Sequence, residues 1–201
     1  IAVDATGAIR DGDYALAVCA RHLAAANRLK GNTVVTTVMA NLGLDQSLAA
    51  AGINIVKTQV GDRYVYEEMQ RIGANLGGEQ SGHVLLLDHA PAGDGILSGL
   101  QLLSVMRETG EPLAALSACL TKFPQVLVNV PVRVKPPIER VAGLSERLGA
   151  LEATMDGAGR ILVRYSGTEP LARVMIEGPD RARIAAMADE LAALIRKEIG
   201  A

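Results

Sequence analysis

Apolar and polar positions follow two different rhythms along this chain. Over the first 122 residues, short β-branched runs alternate with helical stretches. Asp11-Gly12-Asp13 starts a helix over Tyr14 to Arg28, which Lys30-Gly31-Asn32 ends. Leu16, Val18, Cys19, His22 and Leu23 are too many for a thin apolar stripe, so that helix is expected to be well buried, with His22 at its core or boundary. Thr33 to Val38 reads as a strand, Asn41-Leu42-Gly43 opens a helix through Ala51, and Ile53 to Val56 is the next strand. Gly61-Asp62 caps a helix over Arg63 to Ile72 that Gly73 closes. Ala74 to Gly77 and His83 to Leu87 then read as strands flanking the turn Gly78-Glu79-Gln80-Ser81-Gly82. Asp94 caps a helix from Gly95 to about Arg107, and Leu113 to Leu120 follows with Pro112 at its first turn.

Phe123-Pro124 marks a boundary, because the grammar changes after it. Val126, Val128, Val130, Val132 and Val134 alternate with Leu127, Asn129, Pro131 and Arg133, giving a half-buried strand that Pro131 places at or near a sheet edge. Ile138, Val141, Leu144, Leu148 and Leu151 predict one amphipathic helix after Pro136-Pro137. Strands follow at Arg160 to Tyr165 and Arg173 to Glu177, then a final helix over Ile184 to Ile195. The predicted fold is α/β plus α+β: residues 1–122 form a layered α/β domain with an at least partly parallel, mixed sheet. Residues 123–201 form a small α+β domain, an antiparallel sheet with helices on one face. The opening Ile1-Ala2-Val3-Asp4 reads as the middle or end of a strand, so part of a larger protein is expected upstream.

Composition narrows the chemistry. Aromatics make up 2% of the 201 residues, with no Trp, which disfavours stacking platforms for bases or sugars. A formal net charge of −2 gives no general attraction to nucleic acid or membrane, so neither is expected as a partner and any anion site must be local. Cys19 and Cys119 lack metal-ligand spacing and read as small buried thiols of a reducing compartment, without a disulfide. His83 and His89 have no partners at metal spacing, so no metal site is assigned.

Two polar turns remain. In Arg164-Tyr165-Ser166-Gly167-Thr168-Glu169-Pro170, two short hydroxyls flank a glycine whose missing Cβ lets backbone N–H groups converge on an anion, and Arg164 supplies a planar charged fork. The same composition also suits an ordinary hairpin turn. Gly78-Glu79-Gln80-Ser81-Gly82-His83 packs an acid, an amide, a hydroxyl and an imidazole into one turn, which suits a polyhydroxylated ligand or, again, a structural hairpin. Gly93-Asp94-Gly95 is read as a helix cap rather than a dinucleotide fingerprint. Asp62-Arg63 places an arginine against a helix dipole, which hints at a ligand or interdomain role.

Val60-Gly61-Asp62-Arg63-Tyr64-Val65, the Gly78-to-His83 turn, Gly93-Asp94-Gly95-Ile96 and Arg164 to Pro170, in this order, resemble the C-terminal half of the α-D-phosphohexomutases, and within them the glucosamine-specific branch. The resemblance covers essentially the whole chain and implies the third and fourth of four domains. It implies an isomerase that moves a phosphoryl group between positions 6 and 1 of glucosamine phosphate, through an enzyme phosphoserine and a bisphosphate that turns round. Glucose or mannose phosphate, or a noncatalytic phosphosugar-binding module, are the alternatives. Glu79 and Ser81 would hold sugar hydroxyls, with His83 beside them. Arg164, Ser166, Gly167 and Thr168, with Arg173, would hold the nonreacting phosphate, while Glu169 would point away from it. The phosphoserine and the aspartates that bind Mg²⁺ are expected upstream of Ile1, so this chain is expected to lack a catalytic nucleophile and a metal of its own. The implied partners are a hexosamine phosphate and the N-terminal domains, in the cytoplasm.

Overall fold

A computed structural model describes all residues from Ile1 to Ala201, which divide into two compact units, Ile1–Lys122 and Phe123–Ala201.

In the first unit, β1 (Ala2–Val3) and β2 (Ile9–Arg10) form a small antiparallel hairpin. Asp4 organises it: its carboxylate accepts from Thr6 N–H (2.9 Å), Thr6 Oγ1, Ala8 N–H and Arg10 Nε (2.9 Å). The main sheet contains β3 (Thr33–Thr37), β4 (Asn54–Thr58), β5 (Leu76–Gly78) and β6 (Val84–Leu86) in the order β4-β3-β5-β6. The first three run parallel and β6 is antiparallel to β5. Helices α1 (Gly12–Ala25), α2 (Leu42–Ala50), α3 (Asp62–Ile72), α4 (Gly95–Thr109) and α5 (Leu113–Ser117) cover it. Side-chain alternation on β3 explains why both faces are dry. Val34 enters a core with Leu16, Leu44, Leu76 and Leu86, while Val35 enters a second with Val65, Met69 and Leu85.

The second unit pairs β7 (Gln125–Pro131), β8 (Arg160–Tyr165) and β9 (Leu171–Glu177) in the antiparallel order β7-β9-β8. Pro131 accordingly lies on an edge strand. Helices α6 (Leu144–Thr154) and α7 (Arg181–Ile199) lie on one face, over Val130, Val174 and Ile176, with Leu144, Leu151, Ile184, Leu191 and Ile195 completing the core. The mixed sheet and the small antiparallel sheet reproduce the expected fold class.

Two local expectations are corrected. The helix expected from Ile138 is interrupted: Ile138–Arg140 forms a 3-10 turn, Val141 is extended, and Gly143 sits at φ 70, so α6 begins only at Leu144. Ile138 and Val141 keep the helical periodicity because both still pack on the same core. α5 stops at Ser117 rather than Leu120, where the Cys119 carbonyl accepts from Ser47 Oγ (2.7 Å) instead of continuing a helix, and Pro112 is its N-cap. β2 carries no signal in a run of only two residues.

His22 is largely buried and lies 3.1 Å from Glu108 on α4, through Nε2. Cys19 is buried, which pushes its thiol up to about 12, so it is an unreactive core residue.

Candidate functional site

The turn between β5 and β6 is held from three sides. Glu79 N–H donates to the His83 carbonyl and Gly82 N–H to the Glu79 carbonyl, each at 3.0 Å. Thr36 Oγ1 donates to the Gly78 carbonyl (2.8 Å). Gly12, at the start of α1, donates to the Gln80 carbonyl (3.0 Å). A Cβ on Gly12 would lie 2.0 Å from the Glu79 carbonyl oxygen, so only glycine lets the helix end approach the turn this closely.

Below α1 the same corner carries a charge cluster. Asp11 caps α1, and Asp13 is fully buried two residues on. Asp13 accepts from Asn41 N–H (3.2 Å) and pairs with Lys122 Nζ at 2.9 Å; Lys122 also contacts Asp11. Burial pushes the Asp13 carboxyl up, and Lys122 pulls against it. Burial also works against the Lys122 charge, but Asp13 and Asp11 outweigh it and hold the ammonium above its ordinary range.

The side chains of the turn meet the N-terminus of α3. Gly61, at φ 135, donates its N–H to Glu79 Oε1 (3.1 Å), and Asp62 Oδ2 lies 3.4 Å from His83 Nε2. Gly93 backs the imidazole: a Cβ there would fall 2.3 Å from His83 Nε2. Three glycine-marked segments distant in sequence therefore converge, around Gly61-Asp62, Glu79 to His83, and Gly93. Arg63 turns away to Glu67 (2.7 Å) in solvent, so the misfit with the helix dipole is relieved by an i,i+4 ion pair. Ser81 stands exposed at the tip of the turn. Asp94 accepts from the N–H groups of Ile96 (2.8 Å) and Leu97 (3.0 Å), as a helix cap does.

In the second unit the loop from Ser166 to Pro170 joins β8 to β9. Ser166 is buried, its N–H donates to the Leu171 carbonyl (2.9 Å), and its own carbonyl accepts from Lys135 Nζ (2.6 Å). Gly167 and Thr168 form the exposed crest. Arg164 and Arg173 are register partners on adjacent strands, so both guanidinium stems leave the same sheet face, the one opposite Val163 and Val174 of the core. The Nε of each is buried with no hydrogen-bond partner. Arg164 reaches only its neighbour's carbonyl, Tyr165 O, at 3.4 Å, and burial followed by the like charge of Arg173 lowers its pKa. Two crowded cations, a buried serine and a glycine-containing crest therefore lie together at this end of the sheet.

Glu169 departs from expectation. Its carboxylate turns into the loop: Oε2 lies 2.6 Å from Arg173 Nη2 and 3.3 Å from Ser166 Oγ. An unshared guanidinium four residues away outweighs exposure to water as a partner for the carboxylate. Lys135, four residues beyond β7, is the loop's partner that the sequence does not reveal, since its side chain reaches a carbonyl 31 residues away.

No group of three or more His, Cys, Asp or Glu side chains comes together in the way that could hold a metal ion. No helix is long and apolar enough to cross a membrane.

Comparisons with known proteins bear on the fold and the family. The chain is 52% identical over 200 residues to phosphoglucosamine mutase of Pelobacter propionicus, covering 100% of this chain and 44% of that relative. It is 48% identical over 199 residues to the enzyme of the same name from Brevibacillus brevis, covering 99% of this chain and 44% of that one. It thus spans a little under half the length of these relatives. N-acetylphosphoglucosamine mutase of Aspergillus fumigatus, solved in complex with GlcNAc-6P and magnesium, shares the fold with a TM-score of 0.78 at 20% identity, over 96% of this chain and 48% of that one. A second solved structure of the Aspergillus fumigatus enzyme matches with a TM-score of 0.80 over 98% of this chain and 45% of that one, again at 20% identity. Residues 11–123 match the family model of phosphoglucomutase/phosphomannomutase alpha/beta/alpha domain III and residues 127–194 that of the C-terminal domain, so the chain belongs to the phosphoglucomutase/phosphomannomutase family.

Proposed function

We propose that this chain is the substrate-holding half of an isomerase that interconverts glucosamine 6-phosphate and glucosamine 1-phosphate through a phosphoserine and a bisphosphate intermediate. Residues 1–122 form the domain that recognises the sugar, through Glu79, Ser81 and His83. Residues 123–201 form the domain that grips the nonreacting phosphate, through Arg164, Ser166, Gly167, Thr168 and Arg173. The observation that carries the reading is the facing pair Arg164 and Arg173 beside Ser166, each with a buried, unpartnered Nε. A phosphate dianion supplies the acceptors that these donors lack and cancels their mutual repulsion.

Catalysis of this type rests on positioning and electrostatics more than on covalent chemistry by the binding groups. Phosphate and sugar hydroxyls held at fixed points present the remaining oxygen for in-line transfer. The Glu79 carboxylate, steadied by Gly61 N–H, is an acceptor for paired hydroxyls. The nucleophile, the Mg²⁺ that neutralises charge during transfer, and the supply of an amino-sugar phosphate to peptidoglycan precursors in a bacterial cytoplasm belong to the whole enzyme. The phosphoglucosamine mutase relatives support the amino-sugar mutase part of this reading.

Calorimetric titration of glucosamine 6-phosphate into this chain, and into its Arg164→Ala and Glu79→Ala variants, tests the site. Binding is expected for the parent and a clear loss in each variant; equal binding by all three would falsify the assignment. The family model spans glucose and mannose enzymes as well. Turnover of glucosamine, glucose and mannose phosphates by the full-length enzyme therefore decides the sugar, with glucosamine expected to be fastest. Turnover by this chain alone sinks the half-site reading.

A further inference from the structure

We propose that Glu169 is a built-in competitor for the phosphate, a carboxylate that occupies part of the anion cradle when it is empty and speeds release when it is full. The inference rests on the phosphate reading of the loop. One oxygen, Glu169 Oε2, lies 2.6 Å from Arg173 Nη2 and 3.3 Å from Ser166 Oγ, so it takes two of the donors the loop would offer a phosphoryl group. Arg164 has no such carboxylate, and its buried Nε is left without a partner. The cradle is therefore half filled by the chain's own anion, on the Arg173 side only.

The geometry allows exchange. The Glu169 side chain is 52% exposed, against 28% for Arg173, so the carboxylate can swing into water at little desolvation cost while the guanidinium stays seated. The Glu169 backbone need not move, because its own N–H donates to Ser166 Oγ (3.3 Å) and holds the turn independently of the side chain. A dianion entering beside Arg164 and Arg173 repels the carboxylate and displaces it; as the dianion leaves, the carboxylate returns to Arg173.

Such a competitor suits a reaction whose bisphosphate intermediate must turn round. The loop has to hold one phosphate during transfer, let go, and then hold the other. A purely cationic cradle would bind each end tightly and release it slowly. A carboxylate already ion-paired to one of the two arginines weakens the grip by the modest amount that an exposed ion pair is worth. Because its effect appears as the dianion departs, it acts mainly on the dissociation rate.

Inorganic phosphate is the probe, titrated into this chain and followed by amide shifts and line widths of Ser166, Gly167 and Thr168. Glu169→Gln and Glu169→Ala are expected to bind phosphate about twofold to fivefold more tightly than the parent, mostly through slower dissociation. Glu169→Gln keeps the side-chain volume, and matching melting temperatures confirm that both variants are folded. Weaker or unchanged phosphate binding in both variants, with binding abolished by Arg164→Met, overturns the competitor and leaves the phosphate loop standing, with Glu169 as a residue that positions Arg173. Phosphate binding that is absent from the parent, or indifferent to Arg164→Met, overturns the phosphate loop and the competitor together.

Discussion

Arg164 on β8 and Arg173 on β9 stand directly opposite each other in antiparallel register, two like charges whose stems rise from one sheet face. Directly opposed like charges destabilise a sheet by about 0.2–1 kcal/mol, a cost that the proposed phosphate site would account for. Arg164→Met keeps the aliphatic packing, removes the repulsion and breaks no ion pair. Its anion-free melting temperature is expected to equal or exceed that of the parent. Added phosphate is expected to raise the parent's melting temperature and leave the variant's unmoved. A variant that loses more than about 1 kcal/mol without phosphate shows that the arginines are not in conflict.

Lys122 and Asp13 are a second revealing pair. They lie far apart in sequence, and Asp13 is fully buried. Removing one partner of a buried pair leaves an uncompensated charge, so Lys122→Met is expected to cost about 3–5 kcal/mol in urea unfolding. Pairing Lys122→Met with Asp13→Asn is expected to recover a good part of that loss. The folded-state pKa of Lys122 is raised above 10.5, so its contribution is complete below that pH and is lost as pH rises through the folded value. Alkaline melts of the parent should fall above pH 10.5 more steeply than those of the double variant.

Two crowded glycines beside the β5–β6 turn differ in what they touch. At Gly12 an added Cβ meets backbone, the Glu79 carbonyl at 2.0 Å and the Gly82 nitrogen at 2.8 Å; at Gly93 it meets the His83 ring. A ring can swing, whereas a turn tied by its own backbone hydrogen bonds cannot. Gly12→Ala is expected to cost about 1–3 kcal/mol, with Gly93→Ala milder. Gly93→Ala should nevertheless displace His83 from Asp62, visible as a shift of the imidazole resonances, and weaken glucosamine 6-phosphate binding.

Asp4 sets an acid limit on the N-terminal hairpin. The hydrogen bond from the Thr6 hydroxyl, against an opposing burial effect and assisted by Arg10, holds its carboxyl well below the ordinary 3.8. A depressed carboxyl stabilises the fold above 3.8 and loses that contribution as pH falls further. Amide exchange at Thr6 and Ala8 should therefore accelerate below pH 3.8 while Val34 and Leu76 remain protected. Asp4→Asn should show the fast exchange at neutral pH. Equal protection of Thr6 and Val34 in acid would count against this hub.

Much of this architecture is legible along the chain because its causes are local. The β-branched run at Thr33 to Thr37, the Asn41 and Asp94 caps, the left-handed Gly73 and the three-and-four spacing of α7 each need only neighbouring residues to be read. The polar turns announce themselves in the same way. Periodicity misleads at Ile138 to Leu151, because a core accepts apolar residues from a 3-10 turn and a helix alike.

By itself the sequence determined the mixed and the antiparallel sheet, most of their strands and helices, and the two polar turns. Tertiary structure alone decided which distant groups meet: Gly61 with Glu79, Asp62 with His83, Asp13 with Lys122, Lys135 with Ser166. It also turned Glu169 toward Arg173 and Ser166 instead of out of the loop. The physical reason is register. Strand pairing and helix docking are set by the packing of whole faces, and a side chain's partners follow from that registration rather than from its neighbours in the chain.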